Sequence, residues 1–339
     1  MKTYALTLKL KSGLLTELQS DTIYGHFCWR LEEQLGEKKL TDFLSLYKNG
    51  NPIFLLSDGL LKVNDIIRFP RPFIFAKPEI KKDKYEKVLD FADRKAKKER
   101  NYLTIDEMNS FLSNGKVQII DKIEISVTNK KNKKKSKILE ESLRVSVQID
   151  RRSFGSMQGR LFSYKTKYPA EDVVFVVLVK VIDEVKFNVD FKCEQILKDT
   201  FSIGYGKKKS SGYGHFEILS FEEFNQIQEP KESNAFIALG NYLPSINDKV
   251  VPIAYDINTK YGKLGEELSS SENPFKNPIV FLTAGSCFKT DMIKEFFGRV
   301  TGNGEISQAN NFAVQFGIPF TLKFIYDNNT NNTTQRCTD

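Results

Sequence analysis

The sequence predicts an α+β protein built from two units in which strands and helices follow one another. Two patterns favour this class. Residues 4–10 alternate apolar and polar side chains, which predicts a half-buried strand. Ser20-Asp21 then precedes apolar residues at 23, 27, 31 and 35, and this four-residue spacing predicts a helix that ends at Gly36.

The next elements complete the first unit. Residues 52–57 predict a short strand, and the run DVVFVVLVKVI at 172–182 is the most strand-like segment of the chain. A short helix at 189–197 and a strand at 214–220 follow. Without a long insertion at about 60–170, the order is βαββαβ, that of the ferredoxin-like unit. We therefore expect a first domain at 1–225.

A second unit follows the polar segment 226–233, which we interpret as a linker. Strands are expected at 235–242, 250–257 and 278–284, a helix at 289–297, and a closing segment at 311–326. These elements predict a second, degenerate ferredoxin-like domain at 234–326. The polar residues 327–339 predict a disordered tail.

The insertion carries two basic segments. Residues 81–100 hold nine lysines and arginines with helical spacing, and residues 130–137 hold six lysines. We expect the second segment to be the tip of a protruding thumb, a hairpin with strands at 123–127 and 143–149, because both flanks alternate with period two. The alternative is that these charges only keep the surface soluble.

The glycine-rich segment FSIGYGKKKSSGYGHFEI, residues 201–218, contains four glycines, three successive lysines and two tyrosines. Glycine brings main-chain N–H groups close to a phosphodiester, and lysine supplies positive charge. A phosphate-binding P-loop is excluded, because Lys208 stands where Ser or Thr is needed. A dinucleotide fingerprint is excluded too, because Lys209 stands where its third glycine is needed. The alternative is a solvated turn.

The composition limits which binding partners and which cellular compartment we expect. The 339 residues carry a net charge of +8 and a pI near 9.0, which favours an anionic partner: RNA, DNA or an acidic membrane. No apolar run reaches about 18 residues, so we expect a cytoplasmic protein. Four widely spaced cysteines and two histidines suggest neither zinc nor disulfides, and no cofactor is predicted.

Several short motifs follow one another along the chain. They are Asp21-Thr22-Ile23-Tyr24-Gly25, Gln148 to Arg152, Gly159-Arg160-Leu161-Phe162, Gly212 to Phe216, Tyr242-Leu243-Pro244-Ser245, Lys260-Tyr261-Gly262-Lys263, Ala284-Gly285-Ser286 and Gln315 to Phe320. In this order they resemble one CRISPR subunit family, subunit 4 of the type III-A Csm effector complex, which belongs to the RAMP superfamily with RRM-related, ferredoxin-like folds. Arg152 departs from the family pattern, which often has a small polar residue there.

The resemblance implies a non-catalytic subunit for antiviral defence that holds the repeat-derived 5′ handle of crRNA. Its implied partners are crRNA, the large polymerase-like subunit and a backbone RAMP subunit. Phosphate anchors and planar stacking groups suit such an RNA. The candidate RNA-binding residues are Gly204, Tyr205, Gly206, Lys207, Lys208, Lys209, Ser210, Ser211, Gly212, Tyr213, Gly214, Arg151, Arg152, Thr22, Tyr24, His26, Lys133 and Lys134.

Two other classes compete with this hypothesis. Some RAMP relatives are metal-independent endoribonucleases that process precursor crRNA, and His26 would be the general base in that case. A competent pair also needs a nearby cation or second base, and only Arg30 lies one turn away in sequence. No Asp or Glu set has metal-binding spacing. A purely structural adaptor would leave the basic loop unexplained.

Overall fold

A computed structural model describes residues 1–74, 100–119, 126–128, 135–265, 273–302, 304–307 and 313–327 of the chain. Four α-helices lie in these residues: α1 (Ser20–Leu35), α2 (Glu37–Lys48), α3 (Ile105–Asn114) and α4 (Cys193–Ser202). Short helical turns span Lys186–Asp190, Lys209–Ser211 and Ile246–Asp248. None of the helices in this part of the chain is long and apolar enough to cross a membrane.

Strands predominate, so the fold is mixed α and β as the predicted class requires. The strands are β1 (Lys2–Leu10), β2 (Phe54–Leu56), β3 (Leu60–Val63), β4 (Ile66–Pro70), β5 (Tyr102–Leu103), β6 (Ser126–Thr128), β7 (Lys135–Lys137), β8 (Leu139–Ile149), β9 (Ser156–Pro169), β10 (Val173–Val181), β11 (Phe216–Glu223), β12 (Ala235–Ala238), β13 (Val250–Ala254), β14 (Ile257–Lys260), β15 (Ile279–Leu282), β16 (Cys287–Thr290), β17 (Arg299–Thr301), β18 (Gln315–Gly317) and β19 (Thr321–Phe324).

The larger sheet has the order β11-β1-β10-β3-β4-β5, and β2 pairs with β10 beside β3. Strand β1 pairs antiparallel with β10, Leu6 opposite Val177, and with the edge strand β11. The strands predicted at 4–10, 52–57, 172–182 and 214–220 are confirmed. Residues 60–70, which the sequence assigns to the insertion, instead extend this sheet as the hairpin β3–β4.

The smaller sheet has the order β13-β16-β12-β19. If the four strands are numbered 1 to 4 along the chain, their order across the sheet is 2-3-1-4. In the larger sheet, the strands β2, β10, β1 and β11 have the same order. The helix expected at 289–297 is wrong. Strand β16 occupies its start, and Phe297 is buried with its ring centroid 3.8 Å from that of Phe236. Tertiary packing of Phe288 and Phe297 against this sheet outweighs the local helical spacing.

One hydrophobic core joins the two sheets. It contains residues of α1 and β10 together with Ile237 of β12 and Phe316 of β18. Tyr24 of α1 stacks on Phe316 at 4.4 Å between ring centroids. A second, small cluster around Phe236 and Phe288 covers the other face of the smaller sheet. The units predicted from sequence therefore share buried apolar surface.

The segment 226–233, interpreted as a linker, is held at several points. The Asn109 side chain of α3 donates to the Gln226 carbonyl at 2.9 Å and accepts from the Gln228 N–H at 2.9 Å. Glu229 accepts from the Lys323 N–H at 2.8 Å. These contacts fix the path between the sheets.

Candidate nucleic-acid interface

The glycine-rich loop between α4 and β11 has several residues with left-handed backbone, among them Gly206 at φ 76°, Lys208 at φ 57° and Gly214 at φ 65°. Gly214 is also closely packed: a Cβ there would lie 1.9 Å from the Tyr205 carbonyl oxygen. Only glycine satisfies both conditions at position 214. The glycines therefore set a specific loop path.

Main-chain bonds anchor the base of this loop. The Tyr205 N–H donates to the Gly214 carbonyl at 2.8 Å, and the Gly214 N–H donates to the Gly13 carbonyl at 2.9 Å. The Lys207 N–H donates to Thr16 Oγ1 at 2.9 Å. Above these anchors, Lys209 and Tyr213 are half-buried, and the remaining tip residues, Lys207, Lys208, Ser210, Ser211 and Gly212, are exposed.

His26 supports the loop from α1. Its Nε2 accepts a hydrogen bond from the Gly206 N–H at 3.0 Å, and its ring lies 4.9 Å from the Tyr205 ring centroid. An accepting Nε2 requires the proton on Nδ1 in the neutral ring. The histidine therefore positions a glycine of the loop, and its Nε2 lone pair is engaged there.

Two of the residues predicted to contact RNA, Tyr24 and Tyr205, have buried side chains. Tyr24 is 0% exposed and donates its hydroxyl to the Phe54 carbonyl at 2.7 Å. Tyr205 is 1% exposed and donates to the Glu17 carbonyl at 2.8 Å. Burial raises the pKa of both phenols well above their usual range. Neither ring can stack on a base, because each is part of the core.

A long hairpin, β8–β9, stands beside the loop, and its pairing corrects the predicted thumb. Residues 143–149 pair with 156–165, and the described residues of the other expected strand, in β6, pair with β7. Alternation of apolar and polar residues predicts a strand but not the strand with which it pairs. Pairing β8 with the next strand, β9, closes a short turn and therefore costs the least conformational entropy. Lys133 and Lys134 lie outside the described residues, as do residues 75–99.

Arg151 and Arg152 lie at the exposed tip of this hairpin, in the turn 150–155. The Phe154 N–H donates to the Asp150 carbonyl at 2.8 Å, and the Arg152 N–H donates to Asp150 Oδ1 at 2.9 Å. Along the strand, this tip is about 20 Å from the residues that meet the glycine-rich loop. The arginines of the hairpin tip and the lysines of the glycine-rich loop therefore lie at different ends of one surface.

The loop and the hairpin meet at Tyr164 of β9. The Lys208 Nζ lies 3.7 Å from the Tyr164 ring centroid, and the Tyr213 ring meets it edge-on at 6.2 Å. Ser146 Oγ lies 2.8 Å from the Tyr164 hydroxyl. The Lys208 ammonium and the Ser146 hydroxyl lower the pKa of Tyr164 to about 8. The contact combines a cation with aromatic rings on an accessible surface.

A second polar cluster was missed by sequence reasoning. Asp21 is buried at the start of α1, and its carboxylate accepts from Lys260 Nζ at 2.7 Å, from Asn241 Nδ2 at 2.7 Å and from Gln315 Nε2 at 2.6 Å. Lys260 also donates to Thr22 Oγ1 at 2.9 Å, so this predicted RNA contact is engaged within the protein. The family motifs at 21–25, 260–263 and 315–320 carried the only signal for it.

The arrangement is suited to binding a polyanion. Lysines, main-chain groups and tyrosines meet on one surface, and no group of three or more His, Cys, Asp or Glu that could hold a metal ion occurs in the described part of the chain. Sequence reasoning also missed Tyr164 and Arg144 of the hairpin, and it named Phe162 only within a family motif. Aromatic residues at the alternate positions 162 and 164 were the available signal.

Solved structures of type III-A CRISPR proteins are similar to this chain in fold. A chain in the crystal structure of the Csm1-Csm4 cassette in complex with pppApA has a TM-score of 0.60 and 14% identity, with 97% of this chain and 100% of that chain covered. A chain of the Csm3-Csm4 subcomplex of the type III-A CRISPR-Cas interference complex has a TM-score of 0.59 and 16% identity, with 96% and 99% covered. No family model and no curated protein matches. The resemblance to the Csm subunit 4 family in motif order is thus matched by a likeness in fold.

Proposed function

We propose that this chain is a non-catalytic crRNA-binding subunit of a type III-A Csm effector complex, in which it holds the 5′ repeat-derived handle. The observation that carries the proposal is the rigidly anchored glycine-rich loop, which presents Lys207 and Lys208 to solvent beside Tyr164 of the hairpin. The fold likeness to chains of Csm complexes supports the assignment to such a complex.

The physical basis is preorganisation. Hydrogen bonds donated by loop N–H groups to Thr16, His26 and Gly13 hold the loop before any ligand arrives, so little conformational entropy is lost on binding. Exposed lysines neutralise phosphates and release counterions. Tyrosines and main-chain groups add contacts that do not depend on base pairing, as a single-stranded handle requires.

The proposal extends to the fold and the protein partners. Both sheets have the strand order of a βαββαβ unit, which supports two ferredoxin-like domains, the second without its helices in the residues that the structure describes. The relatives above occur with Csm1 and with Csm3, and we extend both kinds of partner to this chain. Exposed Ile257, Tyr261 and Val280 on the β14–β15 ribbon supply apolar surface suited to a protein partner.

The proposal excludes catalysis by His26. A general base needs an available lone pair at the reacting atom, and the Nε2 of His26 accepts from the Gly206 N–H. Incubation with a repeat-containing precursor RNA should give no cleavage above a control without protein. Specific cleavage that disappears in His26→Ala would instead establish the endoribonuclease alternative.

The binding experiment uses a labelled handle RNA and a scrambled RNA of equal length. We expect tighter binding of the handle, with both RNAs left intact. In Lys207→Ala/Lys208→Ala, the slope of log K against log salt should become shallower by up to about 1.4 units, because each phosphate contact to a single strand contributes about 0.7.

The matched control removes two other exposed lysines, in Lys38→Ala/Lys231→Ala. This variant has the same net charge, and its salt slope should equal that of the wild type. Equal slopes in all three proteins would show that the glycine-rich loop does not contact phosphates.

A further inference from the structure

Aromatic side chains form a short row on one face of the β8–β9 hairpin. Tyr164 lies opposite Arg144 and Phe162 lies opposite Ser146 in the antiparallel register. Residues two apart on a strand lie on the same face, about 6.7 Å apart. The Tyr164 contacts with Lys208 and Tyr213 show that this face is directed toward the glycine-rich loop.

The row is accessible. Phe162 is 48% exposed and Tyr164 is half-buried, with the Lys208 ammonium over its ring. An exposed phenylalanine next to a cation-covered tyrosine has no evident packing role, because removing apolar surface from water would favour burial of the Phe162 ring. Exposed aromatic rings beside cations are the groups that single-stranded nucleic acids use for stacking.

The two faces of the hairpin differ in chemistry. The face with Phe162 and Tyr164 also carries Arg144, whose guanidinium donates to the Tyr168 hydroxyl at 3.1 Å. The opposite face carries the exposed aliphatic side chains Val145 and Leu161. Aliphatic groups provide no planar surface for a base, so the difference assigns nucleotide contact to the first face.

We propose that Phe162 and Tyr164 are a base-stacking subsite that takes two successive nucleotides of single-stranded RNA, with Lys208 moving from the Tyr164 ring to a phosphate. This inference rests on the proposed RNA-binding function and names the residues that contact bases. The Ser146 hydroxyl, 2.8 Å from the Tyr164 oxygen, holds the ring in place when the lysine leaves. Every base has a π face, so the subsite tolerates any sequence.

The test measures binding of a short single-stranded RNA that contains 2-aminopurine, whose fluorescence is quenched by stacking. Phe162→Ala and Tyr164→Ala should each weaken binding by about 5-fold to 150-fold, the equivalent of the usual stacking energy per base, and should reduce the quenching. The salt slope should stay unchanged, because no charge is removed.

Ring-retaining variants and a matched control separate stacking from folding. Phe162→Tyr keeps the ring and should bind within about twofold of the wild type. Tyr164→Phe keeps the ring but loses the Ser146 contact, so it should bind more tightly than Tyr164→Ala. Leu161→Ala alters the neighbouring residue on the opposite face and should bind normally. Thermal unfolding of the same samples verifies that each variant is folded.

The outcomes distinguish the two proposals. Wild-type affinity and quenching in folded Phe162→Ala and Tyr164→Ala, together with a shallower salt slope in Lys207→Ala/Lys208→Ala, would overturn only the stacking subsite. Equal losses in Leu161→Ala would also overturn it. No binding of RNA by the wild type would overturn both the subsite and the proposed function.

Discussion

The Asp21 cluster and the Tyr164 contact each join distant segments of the chain through a lysine, but in opposite environments. The Asp21 side chain is 1% exposed, and three donor groups bind its carboxylate. Tyr164 meets Lys208 where water has access to both side chains. The same kind of cation thus pairs with a buried carboxylate in one region and with an accessible tyrosine ring in the other.

The difference shows how solvent decides the role of a charge. A buried carboxylate that loses its partners is left unpaired in a medium of low dielectric, so the Asp21 cluster is tied to stability. An exposed ammonium loses little when its contact breaks, because water replaces the partner. Lys208 is therefore available to a ligand, whereas Lys260 is committed to the fold. Four experiments test this contrast.

The largest expected effect is that of Lys260→Met. It leaves the Asp21 carboxylate buried without its cation, while Asn241 and Gln315 still donate to it. We expect a loss of about 3 kcal/mol in the free energy of unfolding, measured with urea. The control Lys38→Met removes an exposed lysine and should change stability by less than about 0.5 kcal/mol. A loss below about 1 kcal/mol for Lys260→Met would show that the cluster contributes little to folding.

The second prediction compares two glycines of the loop that both have positive φ, Gly214 and Gly212. A Cβ at 214 would lie 1.9 Å from the Tyr205 carbonyl oxygen, whereas a Cβ at 212 would meet nothing within 4 Å. Gly214→Ala should therefore lower the free energy of unfolding by about 2 to 3 kcal/mol, and Gly212→Ala by only about 1 kcal/mol. Equal losses in urea unfolding would refute the packed anchor.

The third prediction concerns Asp58, which accepts from the Ser20 N–H at 2.7 Å next to the Asp21 cluster. Burial, and to a lesser extent the Asp21 charge, raises the pKa of Asp58 from 3.8 to about 7. Between these two values the folded state holds a proton that the unfolded state has lost. The Asp58 contribution therefore falls as pH rises from about 4 to 7 and is flat above that range.

Asp58→Asn removes this titration and keeps an oxygen acceptor for Ser20. The free energy of unfolding of Asp58→Asn relative to the wild type should rise by about 2 kcal/mol between pH 4.5 and 7.5. This is about half the free energy that corresponds to the full pKa shift, because the Asp58 side chain is partly exposed. Urea unfolding at the two pH values measures the change. A constant difference would mean that Asp58 titrates normally in the folded protein.

The smallest effect is expected at the exposed contact. The Lys208 ammonium contributes most to the low pKa of Tyr164, about 8, so Lys208→Met should raise that pKa toward 10. Tyrosinate absorbance as a function of pH measures this pKa. The titration step that disappears in Tyr164→Phe is assigned to Tyr164. Lys207→Met is the matched control and should leave the step in place. If the Tyr164 titration step is unchanged in Lys208→Met, the Lys208 ammonium does not contact the Tyr164 ring.

Local patterns were sufficient for part of the fold. Strand β1, helix α1 with its end at Gly36, and strand β10 follow from alternation and four-residue spacing within single segments. The helix expected at 289–297 failed because Phe297 packs on Phe236, a residue far away in sequence. The hairpin expected between 123–127 and 143–149 failed because alternation does not specify a partner strand.

The candidate site was likewise predicted only in part from the sequence. Composition identified the glycine-rich loop, because glycines and lysines there are neighbours in sequence. The sequence also placed Tyr24, through a family motif, and Tyr205, through the glycine-rich loop, among the RNA-binding residues, and both rings are core residues. A tyrosine carries an apolar ring and a polar hydroxyl, so its residue type alone does not reveal which side faces water.

By itself, the sequence determined the early strands, the first helix, the basic character of the glycine-rich loop and the resemblance to a Csm subunit, because each resides in short-range order along the chain. The pairing of Asp21 with Lys260, 239 positions away, and the contact of Lys208 with Tyr164 of the hairpin depend on how the folded chain packs. Burial and contact between distant segments depend on how the sheets pack, and that packing selects which charges are structural and which remain open to a ligand.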